Sequence, residues 1–252
     1  MEQTKRFEVT SMALHLMAMA FMLCDHLWAT IVTGNEWLTC VGRLTFPIFA
    51  FMIAEGWHYT SSRKKYVKRM LLFALISEIP FDLMVSGTIF FPLHQNVMFA
   101  FLLSMGLLWL NDEAKRRAEL WSGGGMWLRV IVALSTVILG YLLGIVTFVD
   151  YYFAGPLTVL AFYFFRGRKW WNYLGQLAAL WIINVELLGG VVYPVELFGM
   201  ELEIMQQGLA LLALIPIWLY RGKQGPHNKA LQQLYYWFYP AHLLVLALLQ
   251  MM

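Results

Sequence analysis

Residues 38–69 read LTCVGRLTFPIFAFMIAEGWHYTSSRKKYVKR. An apolar run of bilayer-crossing length ends in five basic residues, while a single Arg43 stands near its other end. The same grammar repeats along the chain. Of the 18 Lys and Arg residues, all but Arg43 fall in every second connection between apolar runs. These are Lys5 and Arg6; Arg63, Lys64, Lys65, Lys68 and Arg69; Lys115, Arg116, Arg117 and Arg129; Arg166, Arg168 and Lys169; Arg221, Lys223 and Lys229. The intervening connections, TGNEWLTC, SGTIFFPL, TFVDYY and YPVELFGMELE, carry no Lys or Arg. Positive charge marks the cytoplasmic side of a membrane protein, so this alternation orients the chain.

A length of 252 residues with 60% hydrophobic and 13% charged residues excludes an ordinary soluble domain. Nine spans are expected, at 10–32, 38–58, 66–85, 94–110, 128–148, 151–166, 172–191, 204–220 and 231–250. The fold class is therefore an all-α polytopic helix bundle, one membrane domain, with the N-terminus inside and the C-terminus outside. Trp37, Trp57, Trp109, Trp127, Trp170, Trp171, Trp218 and Trp237 fall near the ends of these runs, where aromatic rings anchor at the interface. The first run lacks a small-residue cleavage site and is read as a retained span. Cys24 and Cys40 have neither metal nor redox spacing, and no disulfide, metal or nucleic-acid partner is expected. The basic face is suited to anionic lipid head groups or an anionic cytosolic ligand. Oligomeric state stays open, a homo-oligomer included.

Charged and polar groups inside apolar runs are costly and point to function. Asp25 and His26 interrupt LMAMAFMLCDHLWATIV, roughly 10 Å in from the outer end at 1.5 Å per residue. Adjacent helix positions point about 100° apart, so the two cannot share one partner. Ser11 and His15 extend a sparse polar stripe towards His26. Arg43 needs an anion, and Asp25, Glu78 and Asp82 enter at similar depth. Gly42 permits close helix approach, and Pro47 frees a carbonyl. Glu78 and Asp82, spaced i,i+4 around Pro80, share a face and would bind a cation, repel, or pair with Arg43. His94, Gln95 and Asn96 would line a polar substrate or cap the fourth span. Asp150, Asn184, Glu186, Tyr239 and His242 complete the set, with His242 a second candidate base near mid-membrane.

These strings together resemble the TraX family, named for the membrane protein that acetylates the N-terminus of F-type conjugative pilin. The matching segments are Asp25-His26, GRLTFPIFAFMIAEG at 42–56, KKYVKRMLLFALISEIPFDL at 64–83, QNVMF at 95–99, DYYFAGPL at 150–157 and FYPAHLL at 238–244. In DYYFAGP the chain departs from the Gly-rich, Pro-free turn usual in the family. A His-bearing first span is also similar, more distantly, to transmembrane acyltransferases such as the lysosomal heparan glucosaminide acetyltransferases. The resemblance implies an acetyltransferase of the bacterial cytoplasmic membrane. It would take acetyl-CoA as co-substrate from the cytosol and serve an outer acceptor, a pilin-like amine or a glycan.

Acyl transfer needs a base for the acceptor's proton, a donor to steady the oxyanion, and exclusion of water. His26 is assigned as base or transient acyl carrier, oriented or charge-balanced by Asp25 or an acid of the third span. Arg43, Asn96 or a backbone N–H freed by Pro47 or Pro80 would steady the oxyanion. Glu78, Asp82, Gln95, Asn96, Asp150, Tyr239 and His242 would contact substrate. Arg63, Lys64, Lys65, Lys68 and Arg69 either attract the phosphates of CoA or simply enforce topology. Two rival readings compete: a proton-coupled transporter, against which no two-half symmetry is visible, and a non-catalytic assembly factor.

Overall fold

The computed structural model describes residues 8–121, 123–197, 199–226 and 228–252; Lys5 and Arg6 lie outside the described residues. Ten α-helices carry nearly all of the regular structure. They are α1 (Ser11–Thr30), α2 (Glu36–Gly42), α3 (Thr45–Tyr59), α4 (Arg63–Ser86), α5 (Val97–Glu119), α6 (Gly125–Val146), α7 (Ala154–Phe164), α8 (Trp170–Trp181), α9 (Leu214–Leu219) and α10 (Lys229–Gln250). A π-helical turn, Ile182–Leu188, extends α8, and a 3-10 helix, Gln206–Ala213, leads into α9. By length and composition, four stretches among the described residues can each cross a membrane: α1, α2–α3 together, α5 and α6. On α6, Ile131, Leu134, Ile138 and Leu142 stay exposed along one side. A soluble monomer does not leave such a strip bare, so the protein is a membrane protein.

Local chemistry sets several boundaries. Thr10, Ser62, Asn96 and Asn228 cap α1, α4, α5 and α10 by accepting from backbone N–H groups. The expected second span is broken at Arg43–Leu44. Pro47 lies in the first turn of α3, where an N–H has no helical partner to lose. Within α4, Pro80 sits mid-helix and removes one ladder bond.

Two expected spans are corrected, and the all-α expectation is qualified. The fourth span begins at Val97, because Asn96 takes the cap position, and it runs on to Glu119. The sixth is only the 11-residue α7. An antiparallel hairpin, β1 (Val192–Leu197) with β2 (Met200–Met205), departs from the all-α expectation. Positive-φ glycines Gly189 and Gly190 turn the chain out of the π-turn into β1, and Gly199 lies between the two strands.

The core gathers Phe46, Ile48, Trp57, Leu108, Phe162 and Leu214 where α3, α5, α7 and α9 meet. α10 lies along α4 and α1. At one end of the bundle the basic residues collect. There Arg63 pairs with Asp112 at 2.7 Å, Arg166 with Glu55 at 2.6 Å, and Arg168 donates to the Tyr220 carbonyl. The opposite end holds His94 against Asp150 and Tyr193 against Glu36.

Candidate active site

α1 brings Asp25 and His26 to the half of the bundle away from the basic end, and the two side chains diverge as helix geometry requires. Asp25 Oδ1 accepts from Arg43 Nη2 at 2.8 Å and from Thr39 Oγ1 at 2.8 Å. Arg43 also donates to Thr39 Oγ1 (2.7 Å), the Thr39 carbonyl (3.3 Å) and Gln207 Oε1 (3.4 Å). Gln207 in turn donates to Asn184, tying the 3-10 helix to the π-turn. The Asp25 and Arg43 side chains are only 19% and 20% exposed, so losing either leaves a poorly solvated charge, a defect worth about 3–5 kcal/mol in buried pairs. Gly42 makes this approach possible, because a Cβ there would overlap the Asp25 side chain.

His26 takes a different partner. Its Nδ1 lies 2.7 Å from His242 Nε2, and the two rings stack with centroids 5.0 Å apart. His242 Nδ1 lies 2.7 Å from the Phe238 carbonyl, which can only accept. His242 therefore donates from Nδ1, and as a neutral ring it accepts at Nε2. His26 must then donate from Nδ1, which leaves a lone pair on His26 Nε2. The expectation that an acid orients His26 is corrected: the orienting group is an imidazole anchored on a backbone carbonyl.

A cavity of about 490 Å³ is lined by Asp25, His26, Arg43, Thr45, His94, Asp150, Tyr151, Gln206, Gln207 and Tyr239 among others. A larger one, about 700 Å³, runs from the basic end, where Tyr59, Arg69, Gly222 and Gln224 line it, past His15 and Tyr235. The two adjoin, since Met22, Phe49, Val97, Phe101 and Tyr239 line both.

Other expected residues have different tasks. Asn96, fully buried, caps α5 by accepting from the Met98 amide and donates to Glu78 and to the Ala74 carbonyl; it lines neither cavity. Asp82 accepts from the Phe91 amide and Gln95 donates to the Pro92 carbonyl. Glu78 and Asp82 thus anchor the 87–96 connection, not Arg43. Of the five basic residues, Arg69 alone lines the large cavity, its guanidinium over the rings of Tyr66 and Tyr236. Arg63 is committed to Asp112 and Trp57, and Lys64, Lys65 and Lys68 are exposed. Glu186 accepts from the Trp181 indole.

The far wall is strained. Phe148, Tyr151 and Tyr152 adopt positive φ (53°, 62° and 43°), at about 1–3 kcal/mol each, and such strain persists where surrounding contacts enforce it. Here Tyr151 stacks on Phe46 at 4.1 Å, and Gly144 lets the turn close on α6, where a Cβ would come within 2.5 Å of the Tyr152 carbonyl. Asp150 faces His94 at 3.4 Å. That carboxylate holds the His94 imidazole above its ordinary range, although partial burial opposes it. Thr39, Thr45, Tyr151, Gln206 and Gln207 went unnoticed in the sequence because neutral groups in apolar runs give no charge signal.

The profile of the TraX protein family matches residues 11–250. The chain belongs to the TraX family. It is also 27% identical over 255 residues to the probable fimbrial assembly protein FimC, serogroup H1, of Dichelobacter nodosus, covering 96% of each chain. No solved structure matches. For this TraX-family chain, the residues that carried the resemblance divide between the two cavities and the frame around them.

Proposed function

We propose that this protein is an acetyltransferase embedded in the bacterial cytoplasmic membrane. It takes the acetyl group of cytosolic acetyl-CoA and passes it to an acceptor at the outer face. The observation that carries the reading is that His26, with Nε2 unshared, lines a cavity adjoining a second that reaches the basic end. The thioester enters by the larger cavity, past Arg69, and the acceptor by the smaller. His26 Nε2 takes the acceptor's proton while Asp25–Arg43 and Gln207 hold the wall around it. Water is kept out by the apolar necks, chiefly Met22, Phe49 and Phe101. The fimbrial-assembly relative favours a fimbrial-subunit-like polypeptide with a free N-terminal amine as acceptor.

In this reading the chain crosses nine times, N-terminus inside: α1, α2–α3, α4, α5, α6, α7, α8 with its π-turn, the 3-10 helix with α9, and α10. At about 1.5 Å per residue, α7 spans roughly 16 Å, half the hydrocarbon core. Its residues Ala154, Val159, Leu160 and Phe162 are buried among other helices, where a short span is tolerated because lipid does not reach it.

The test is purified protein in lipid nanodiscs, given acetyl-CoA and a peptide with a free N-terminal amine. Thiol release coupled to peptide acetylation is expected. Acetyl-CoA left intact across amine- and hydroxyl-bearing acceptors, with no binding of the thioester, would remove the proposal.

A further inference from the structure

Six side-chain polar atoms among the described residues are buried without a well-formed hydrogen bond. Two of them, Thr45 Oγ1 and the Tyr239 hydroxyl, belong to residues that line the His26 cavity. Asp82, Gln95 and Trp28 line neither cavity, and Tyr235 lines only the larger. Thr45 is 8% exposed and Tyr239 5% exposed, so neither is a surface hydroxyl satisfied by bulk water. The Val97 N–H approaches the Tyr239 oxygen without reaching a well-formed hydrogen bond, and the hydroxyl's own proton has no acceptor. Unmade hydrogen bonds in a buried wall cost stability, and such a cost is kept where a ligand supplies the missing partner.

Position strengthens the case. Tyr239 lines both cavities, so it stands where a group arriving from the basic end meets one arriving from the other. It lies three residues before His242 on α10, one helical turn, with ring centroids 5.8 Å apart, and His242 is the residue that orients His26. Thr45 opens α3, two residues after Arg43. The two side chains expected to steady the oxyanion are committed: Arg43 donates to Asp25, Thr39 and Gln207, and Asn96 donates to Ala74 and Glu78.

We propose that the Thr45 and Tyr239 hydroxyls are the two hydrogen-bond donors that hold the acyl carbonyl oxygen of the thioester during transfer. This rests on the acetyltransferase reading and names further catalytic residues for it. The acceptor's lone pair forms a bond to the carbonyl carbon, and the C=O π pair moves onto oxygen, which the two hydroxyls hold. His26 Nε2 takes the acceptor's proton. The oxygen pair re-forms C=O, the C–S bond breaks with its electrons on sulfur, and that sulfur takes the proton from His26 as free CoA thiol. A hydroxyl donates more strongly to the developing oxyanion than to the ground-state carbonyl, so it acts on turnover more than on binding.

Tyr239→Phe and Thr45→Val delete each hydroxyl with little change of shape. Each is expected to lower kcat by about 10²–10³, with KM for acetyl-CoA nearly unchanged. A second reading uses a 13C-labelled carbonyl in the unreactive methylene-for-sulfur analogue of acetyl-CoA. Its bound resonance should move downfield in the wild type and return towards the free-ketone position in either variant. If the wild type shows no thioester cleavage, the acetyltransferase reading falls. If the wild type is active while both variants turn over normally and the analogue's resonance stays put, this assignment alone falls. Loss in one variant only likewise overturns the pair.

Discussion

In the proposed reaction His26 acts through the nitrogen that it does not share. Because the Phe238 carbonyl fixes His242 and His242 fixes His26, one lone pair is left unshared on a ring that lines the cavity. His26→Ala should therefore cut acetyl transfer by about 10²–10⁴ while donor binding, measured by calorimetry, survives. His242→Phe keeps an aromatic ring but removes the acceptor for His26 Nδ1. The base then loses its fixed tautomer, and a smaller loss of about 10–100-fold is expected in the same assay, comparable to the loss of an outer group that orients a ligand. His94 offers a separate handle through pH. Asp150 hydrogen-bonds it, Glu78 and Asp82 add their charges, and its folded pKa lies above the ordinary value near 6.5. A raised folded pKa means that the stabilisation is complete below about pH 6.5 and is lost as pH climbs through the folded value. The melting-temperature gap between wild type and His94→Asn should be wide at pH 6 and narrow at pH 9. A constant gap across that range would show that the charged pair contributes nothing.

Two close approaches decide how the elements meet. Gly42 lets α2 lie against α1 at Asp25, and Gly144 lets the 148–153 turn lie against α6. A methyl at Gly42 must push α2 away, because what it meets is the near part of the Asp25 side chain and not a flexible tip. Gly42→Ala should destabilise the protein by about 1–3 kcal/mol, read as a lower melting temperature in detergent, and lower activity with it. An unchanged melting temperature would mean that the helix pair adjusts freely. This contact was legible beforehand, since a glycine beside an intramembrane arginine invites a partner, and Asp25 was among the anions at the right depth. The partner of His26 was not, because 216 residues separate it from His242 and nothing in either span encodes the pairing. The polar triplet, read as a substrate wall or a cap, divides between the two: Asn96 takes the cap and Glu78, Gln95 turns back to the Pro92 carbonyl, and His94 reaches the cavity, where it faces Asp150. The π-turn, the 3-10 helix and the hairpin were also hidden. Apolar periodicity reads as helix without revealing which hydrogen-bond ladder that helix adopts, and YPVELFGMELE carries charge on a polar connection where no buried face is required.

At the scale of the whole molecule, the two adjoining cavities would give the proposed site one approach from each end, and the distribution of charge distinguishes those ends. Every described basic residue except Arg43 belongs to the connections expected on one face, and several of them meet one another's partners there, as Arg63 and Lys115 do around Asp112 and Tyr163. If that face is cytosolic, acetyl-CoA and acceptor never compete for one opening, and acetylation becomes a vectorial event across the bilayer. Cysteine accessibility tests this directly in a background where Cys24 and Cys40 are replaced. Ser61→Cys and Arg221→Cys, exposed at the basic end, should react with a membrane-impermeant maleimide only in inverted vesicles. Thr33→Cys and Thr88→Cys, exposed at the other end, should react only in intact cells. Because positive charge orients a chain during insertion and nothing re-sorts it afterwards, labelling should divide cleanly between the two preparations. Mixed labelling at either end would break the nine-span arrangement. With it would go the separation of donor from acceptor on which vectorial transfer depends.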